Sequence, residues 1–419
     1  MARVAAQLSN FTAGELSPRL DGRNDLAKYS AGCATVENMV IYPHGAAARR
    51  PGTQYVASVK TPANKTRLIP FEFSTTQTYI LELGNQYIRF YKDNGQILSS
   101  GSPYEISSPY LTAEIFDIKF AQSADVMYIT HPSHKTRKLS RTGHTSWTLT
   151  EVDFVNGPYL DTNSSTTTIT ASAHTVGTGR TFTASASTFA STDVGRLVRF
   201  RDGYAEITGF TGATVVTVEI LKDTGSSSSS TDWSLGAFSD TTGYPSCVSF
   251  FEQRLVFAAT INNPQTVYFS KSGDYENMDA NIGGTVADDD AIIYTIASNQ
   301  VNAIRFMAAG RTLIIGTAGG EFTVSGGGDN DAVTPTNILI KKQSNHGAAN
   351  TDAIAVANAT LFLQRAKRKI RELAYNFDVD GYTAPDLTIL AEHITEGGIV
   401  EMAYQEEPLA IIWCVRNDG

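Results

Sequence analysis

Ile69-Pro-Phe-Glu-Phe73 followed, after a short break, by Tyr79-Ile-Leu-Glu-Leu83 is the phrase that decides the fold. Its first half alternates apolar and polar residues, as a half-buried strand does. Its second half is more continuously apolar, as a strand covered on both faces is. The phrase returns as Ile118-Lys-Phe120 with Val126-Met-Tyr-Ile129, and as Val248-Ser-Phe-Phe251 with Leu255-Val-Phe257. It returns again as Ile304-Arg-Phe306 with Leu313-Ile-Ile315, Ile354-Ala-Val356 with Leu361-Phe-Leu363, and Met402-Ala-Tyr404 with Ala410-Ile-Ile-Trp413. Successive openings lie roughly 50 residues apart, the spacing of four-stranded propeller blades, except for one interval holding about 80 residues more. A sheet of this kind cannot bury both faces alone, so sheets must stack and share cores. The repeat therefore predicts a mainly β, propeller-like body of about six blades.

Working outward from the repeat, residues 61–158 and 241–419 read as two propeller parts, the second cut short in its last blade at Asn417-Asp-Gly419. Asp93-Asn-Gly95 and Arg141-Thr-Gly143 supply hairpin signals where blades need them. Residues 159–240 shift to Ser, Thr, Gly and Ala while keeping β-branched alternation in Thr166–Thr170, Leu197–Phe200 and Thr214–Ile220, which predicts an inserted small β-barrel or sandwich. Its Gly225-Ser-Ser-Ser-Ser-Ser230 run reads as a flexible loop tip. Residues 1–60 form an irregular arm: Asp25 opens a short helix to about Ala31, and strands are expected from Ala34 to Tyr42 and from Gln54 to Val59. A hairpin there could dock elsewhere, or close the ring by adding outer strands to the last blade.

The chain has 419 residues, 42% hydrophobic and 18% charged, enough apolar material for a substantial core and too little charge for disorder. The net charge of −9 comes without any long Lys/Arg run, which argues against a DNA-gripping surface but not against one past which DNA slides. Cys33, Cys247 and Cys414 show no paired spacing, so neither a disulfide framework nor a zinc knuckle is expected. The opening Met1–Leu8 lacks a signal-peptide core, and no stretch is long and apolar enough to span a membrane. A soluble chain made in a reducing cytoplasm is the expectation.

Phosphate-loop, helical His-Glu-x-x-His and Gly-x-Ser-x-Gly patterns are missing from the sequence. His131 and His134 flank a turn at Pro132 and lack an identifiable third metal ligand, so they read as a solvated loop. Asp288-Asp-Asp290 and Gly326-Gly-Gly-Asp-Asn-Asp331 are acidic turns without the calcium-loop pattern. Arg365, Lys367, Lys369 and Arg371 would share one face of an alternating strand, to meet an anionic partner or to guard an edge. Phe71, Phe73, Phe120, Phe250, Phe251 and Phe306 recur at core positions. Two opposed carboxylates would suffice for a glycosidase, and nothing in the sequence selects a pair. No catalytic, cofactor-binding or metal-ligating residue and no cofactor is therefore expected.

Several phrases resemble one family in chain order. They are Phe11-Thr-Ala-Gly-Glu-Leu-Ser-Pro-Arg-Leu-Asp-Gly-Arg23, Asp25-Leu-Ala-Lys-Tyr-Ser-Ala-Gly-Cys33 and Arg49-Arg-Pro-Gly52 at the amino terminus. Asp193-Val-Gly-Arg196, Gly243-Tyr-Pro245, Phe250-Phe-Glu-Gln-Arg-Leu-Val-Phe257, Pro264-Gln-Thr-Val-Tyr-Phe-Ser270 and Gly273-Asp274 follow. Together they look like the tail nozzle proteins, or tail tubular protein B, of short-tailed bacteriophages. The resemblance implies a non-enzymatic virion protein of the tail, assembled in the host cytoplasm: a homohexamer below a dodecameric tail adaptor protein. Tail fibres or tailspikes would attach near it, and genomic DNA would pass its lumen without sequence-specific binding during retention and ejection. Nozzle proteins are usually longer than this chain. The alternative expectation is a β-propeller tail module that binds or degrades host glycans.

Overall fold

The computed structural model describes residues 8–297, 301–328 and 331–418. The expectations placed on Met1–Gln7, on positions 329 and 330 of the second acidic turn and on Gly419 lie outside the described residues. The chain divides into two compact units, residues 57–345 and residues 1–56 with 346–419, a division that passes through the 241–419 stretch.

The described residues of 57–345 hold four blade-like sheets, each running up and down in chain order. Arg67–Ser74, Gln77–Gly84, Tyr87–Lys92 and Glu105–Ser107 make the first, with Gly95–Gln96 also pairing to its third strand. Lys119–Ser123, Val126–His131, His134–Gly143 and Ser146–Glu151 make the second. Cys247–Phe251, Arg254–Ala258, Thr266–Phe269 and Ile292–Thr295 form the third, and Ile304–Ala309, Leu313–Thr317, Gly320–Ser325 and Leu339–Ser344 the fourth. Every repeat phrase is thus a pair of adjacent antiparallel strands, and the body is mainly β and propeller-like. Tight turns permit the short returns: Asp93 and Asn94 both take positive φ between Lys92 and Gly95.

Successive sheets share cores, which is why the second strand of each phrase is apolar on both faces. Ile69, Phe71 and Leu81 of the first sheet pack with Met127, Leu139 and Trp147 of the second. Tyr128 of the second meets Val248, Leu255 and Phe257 of the third, and Val256 and Phe269 meet Leu313, Ile315 and Phe322 of the fourth. Trp147 stacks on Phe90 at 4.4 Å and sets its edge to Phe71 at 4.8 Å. Each such ring pair is worth about 0.5–1.5 kcal/mol beyond the area it buries.

The inserted segment is one six-stranded sheet, ordered Ile169–Ala171, Gly177–Ala184, Val215–Lys222, Gly203–Gly212, Leu197–Phe200, Trp233–Leu235. It closes on its own core of Phe182, Val198, Phe200, Ile207, Val216 and Val218. The serine run is not a flexible tip. Ser227 and Ser230 hydrogen-bond the backbone of Ala171 and Ile169, while the hydroxyls of Ser226 and Ser230 accept from the backbone of Ser228 and Asp232. Serine's short reach lets it satisfy its own turn while lying along an edge strand.

In the other unit, Ile354–Val356, Ala359–Leu363, Ile370–Asn376 and Gly381–Thr383 form a fifth blade-like sheet, and among the described residues Ile399–Gln405 pairs with Ile411–Arg416 alone. Leu361, Leu363, Ile370, Ile399 and Met402 join them. The amino-terminal arm departs from expectation. Asp25 pairs with Arg23 at 2.7 Å instead of capping a helix, and of the expected helix to Ala31 just one turn, Tyr29–Ala31, coils, with another short turn upstream at Pro18–Leu20. Met39–Ile41 pairs with Ala47–Arg49 and with no other described strand, so it adds nothing to the two-stranded sheet. Residues 54–59 form no strand, leaving Tyr55 and Val56 exposed. The arm docks instead through Glu15: one oxygen accepts the Val36 N–H at 2.6 Å and the other meets His393 at 2.8 Å. Ser17 N–H donates to Leu390 O at 2.7 Å.

Candidate functional site

The root of the inserted sheet gathers a buried ion pair, its hydrogen-bond partners and an adjoining crevice. Asp193 and Arg196 form a buried ion pair at 2.8 Å. Asp193 also accepts from the Ala190 N–H at 2.8 Å and the Thr241 hydroxyl at 2.6 Å, and Arg196 Nε donates to Gly236 O at 2.7 Å. Burial pushes the Arg196 guanidinium down from its ordinary value, and Asp193 opposes that shift. The Asp-Val-Gly-Arg phrase therefore clamps the segment by which the chain leaves the inserted sheet. Tyr244 continues the clamp, its N–H donating to Pro132 O at 3.0 Å and its hydroxyl to Asp240 at 2.9 Å.

Beside this clamp lies a crevice of about 220 Å³ walled by Lys135, Glu151, Asp153, Glu206, Phe238 and Tyr244. Glu151 is held by Lys135 at 3.2 Å and by Arg137 at 2.8 Å. Glu206 stands opposite Glu219 in the neighbouring strand. Burial holds the Glu206 carboxyl above its usual range; Lys135 pulls it back, and Asp153, Glu219 and Glu151 push it further up. Gly195, at φ +85°, keeps the floor open: a Cβ there would lie 3.2 Å from Lys135 Nζ and 3.9 Å from Glu206 Oε1. The crevice thus brings together Glu151, paired with two cations, and Glu206, whose carboxyl is held above its usual range. Nothing in the sequence singles out Glu206 or the carboxylates around it. Alternation puts Glu206 and Glu219 on polar faces, but only the strand pairing sets them opposite each other.

A second constellation explains Phe250-Phe-Glu-Gln-Arg-Leu-Val-Phe257. The Arg254 guanidinium sits among main-chain carbonyls, donating to Ser270 O at 2.8 Å, Asp290 O at 2.6 Å and Asp288 O at 2.6 Å. Burial lowers its pKa, opposed by Asp289, Glu252 and Asp290. Asp288–Asp290 is therefore a loop wrapped around an arginine. Asp290 is buried, bonded to Lys271 at 2.7 Å and to the Ala287 N–H at 2.8 Å, which hold it below the usual carboxylate range although burial works the other way.

The remaining sequence candidates divide. Phe71, Phe251 and Phe306 are buried, and Phe120 and Phe250 pack at core edges. Phe73 is exposed, with Arg141 stacked 4.1 Å over its ring. The His131–His134 stretch is no solvated loop: Pro132-Ser133 is a tight hairpin turn, His131 is buried beneath Tyr110, and His134 bonds Glu114 at 3.0 Å. Burial and the neighbouring His134 lower the His131 pKa. Among the described residues no group of three or more His, Cys, Asp or Glu is placed to hold a metal. The alternating basic strand does not form. Residues 365–369 are a turn with Lys367 at φ +62°, and the strand begins only at Ile370. A hairpin return there needs the left-handed region, so the four cations diverge. Lys369 pairs with Asp386 at 2.9 Å, and Arg371 turns inward to Ala384 O and to Gln364 at 3.0 Å.

No protein-family model and no curated protein matches the sequence. Among solved structures the chain is similar to YCF48 bound to D1 peptide, at 9% identity and a TM-score of 0.37, covering 92% of this chain and 97% of that one. It is similar to YCF48 from Cyanidioschyzon merolae at 10% identity and a TM-score of 0.34, covering 78% and 87%. It is also similar to BBS1N in complex with ARL6DN at 9% identity and a TM-score of 0.33, covering 84% and 89%. Likenesses this distant carry no functional inference.

Proposed function

We propose that this chain is a structural component of a bacteriophage tail: a non-enzymatic nozzle subunit that assembles as a homohexamer below an adaptor ring and guides genomic DNA through its lumen. The observation that carries this reading is the use made of the charged residues in the nozzle-like phrases. Glu15, Asp193, Arg196 and Arg254 are engaged in holding turns and connections. Residues kept for shape suit a protein whose task is to be a stiff part of an assembly. Stacked β blades with shared aromatic cores resist deformation, and an acidic chain does not retain DNA by counterion release. Heterologous contacts between copies that close by rotation give rings. Mass photometry and negative-stain imaging of the full chain test the proposal. Six-membered rings with a central channel support it, and a monomer at all concentrations removes it. A pore encircled by Arg and Lys would contradict the role as a conduit.

A second reading, a module that binds or degrades glycans, draws on the crevice. Two or more carboxylates lining one crevice, one of them raised by burial, suit acid–base work on a glycosidic bond. Release of reducing sugar from bacterial surface polysaccharide, abolished in Glu206→Gln, would favour it over the nozzle. Unchanged polysaccharide would remove it.

A further inference from the structure

The fifth sheet carries two unlike ends. At one end the strand Ile370–Asn376 runs into a finger, the single turn Phe377–Val379, before Gly381–Thr383 returns. Phe377 is 86% exposed and Val379 62%. The finger is nevertheless fixed: Asn376 accepts the Asp378 N–H at 2.8 Å, the Tyr375 hydroxyl donates to Asp380 at 2.7 Å, and Tyr375 sets its ring edge to Tyr382 at 5.8 Å. Asp378 and Asp380 are exposed beside the apolar tip and form no ion pair among the described residues. A pre-ordered apolar side chain flanked by carboxylates loses little freedom on being covered.

At the other end of the same strand lies the 365–369 turn. It is also fixed, with Lys367 N–H donating to Gln364 O at 2.7 Å and Lys367 O accepting from Ile399 at 2.8 Å. Arg368 and Lys369 are neutralised within the unit by Glu396 and Asp386. Arg365 and Lys367 have no ion-pair partner among the described residues. Next to them the chain returns along the sheet, Leu387 N–H donating to Ile370 O at 2.9 Å, and exposes Leu387 and Ile389. One end thus presents two carboxylates around apolar side chains, and the other presents two cations beside apolar side chains. The two ends are about 20 Å apart along one strand, so they cannot satisfy each other within a chain. Complementary patches at opposite ends of one element define a head-to-tail contact, which closes into a ring or continues as a filament.

We propose that the partner of each end is a second copy of this chain: the Phe377 finger of one copy seats against the Arg365 and Lys367 turn of the next, with Phe377 and Val379 covered by Leu387 and Ile389. This rests on the reading of the chain as a ring subunit and names the surface that joins neighbours.

Charge reversal with rescue tests it on the full chain, read by mass photometry across a dilution series. Asp378→Lys with Asp380→Lys, and separately Arg365→Glu with Lys367→Glu, are expected to raise the concentration needed for assembly by at least about tenfold. The four substitutions together are expected to restore assembly, and Phe377→Ser is expected to weaken it without charge change. Far-UV circular dichroism and urea midpoints equal to wild type show that the variants fold. Reversed variants that assemble like wild type, or a fourfold variant that stays dissociated, overturn the contact while leaving the hexamer reading standing. A wild-type chain that stays monomeric overturns both. Should one reversed pair fail to fold, Phe377→Ser assembling like wild type overturns the contact by itself.

Discussion

The two compact units treat their side chains differently. Residues 57–345 place large aromatics such as Phe71, Phe90, Phe257, Phe269 and Phe306 wholly inside and surround buried charges such as Asp193, Arg196 and Arg254 with partners. Residues 1–56 and 346–419 have a smaller core, centred on Leu361, Leu363 and Ile399, and leave Tyr375, Phe377, Val379, Leu387, Ile389 and Val415 substantially exposed. Both contain the same repeat phrase. What differs is whether each sheet finds covered neighbours within its own unit. A sheet with two packed faces can hold apolar residues on both, whereas a less covered sheet shows them to solvent or to another molecule.

Tryptophan fluorescence separates the two units, because Trp147 and Trp233 lie in one and Trp413 in the other. A Trp413→Phe background reports residues 57–345 alone. In that background Asp193→Ala should produce the largest effect, a loss of about 3–5 kcal/mol read from the urea midpoint, because it leaves Arg196 buried and uncompensated. An Asp193→Ala midpoint equal to wild type would show that the clamp does not stabilise the inserted sheet. Arg254→Leu should follow at about 2–3 kcal/mol, since the carbonyls of Ser270, Asp288 and Asp290 lose their shared donor.

In the other unit, followed through Trp413, Glu15→Gln should cost about 1 kcal/mol at neutral pH. Burial raises the Glu15 carboxyl, but the Val36 N–H and His393 outweigh it and leave the group below its ordinary value. Its contribution is therefore present above the usual Glu range and lost as pH falls through the lowered folded value, so wild type and variant should converge in acid. A difference that did not shrink as pH fell below the ordinary Glu range would contradict the assignment.

Glu206→Gln sharpens the contrast in the opposite sense. A carboxyl raised in the folded state favours the fold below its ordinary pKa and penalises it as pH rises through the folded value. The variant should accordingly unfold at slightly higher urea than wild type at pH 7, and the gain should vanish below the ordinary Glu range. The smallest effect belongs to Phe377→Ser, which should move the urea midpoint of the dissociated chain by no more than about 0.5 kcal/mol. A loss of several times that would place Phe377 in the fold and not at a contact.

Much of this architecture was legible in the chain. The alternating first strand and apolar second strand of each phrase, from Ile69–Leu83 onward, all became paired strands, and the Ser/Thr-rich interval became a separate sheet with its own core. The site was less legible. Asp288–Asp290 reads as a plain acidic turn until Arg254, more than thirty positions earlier, is found occupying its carbonyls. Arg365–Arg371 reads as a charged strand face until a left-handed Lys367 turns it into a hairpin return. Glu206 has nothing in its own neighbourhood to mark it, because Glu219, Lys135 and Glu151 reach it only through strand pairing and the packing of one sheet on another.

By itself the sequence determined the sheet repeat, the inserted segment and the sign of the surface charge, because apolar period and composition are properties of adjacent residues. Tertiary structure alone decided which carboxylates meet in a crevice, which arginines are caged and which apolar side chains are left uncovered. Those properties depend on distances between residues far apart in the chain, and register and packing set such distances where local pattern does not.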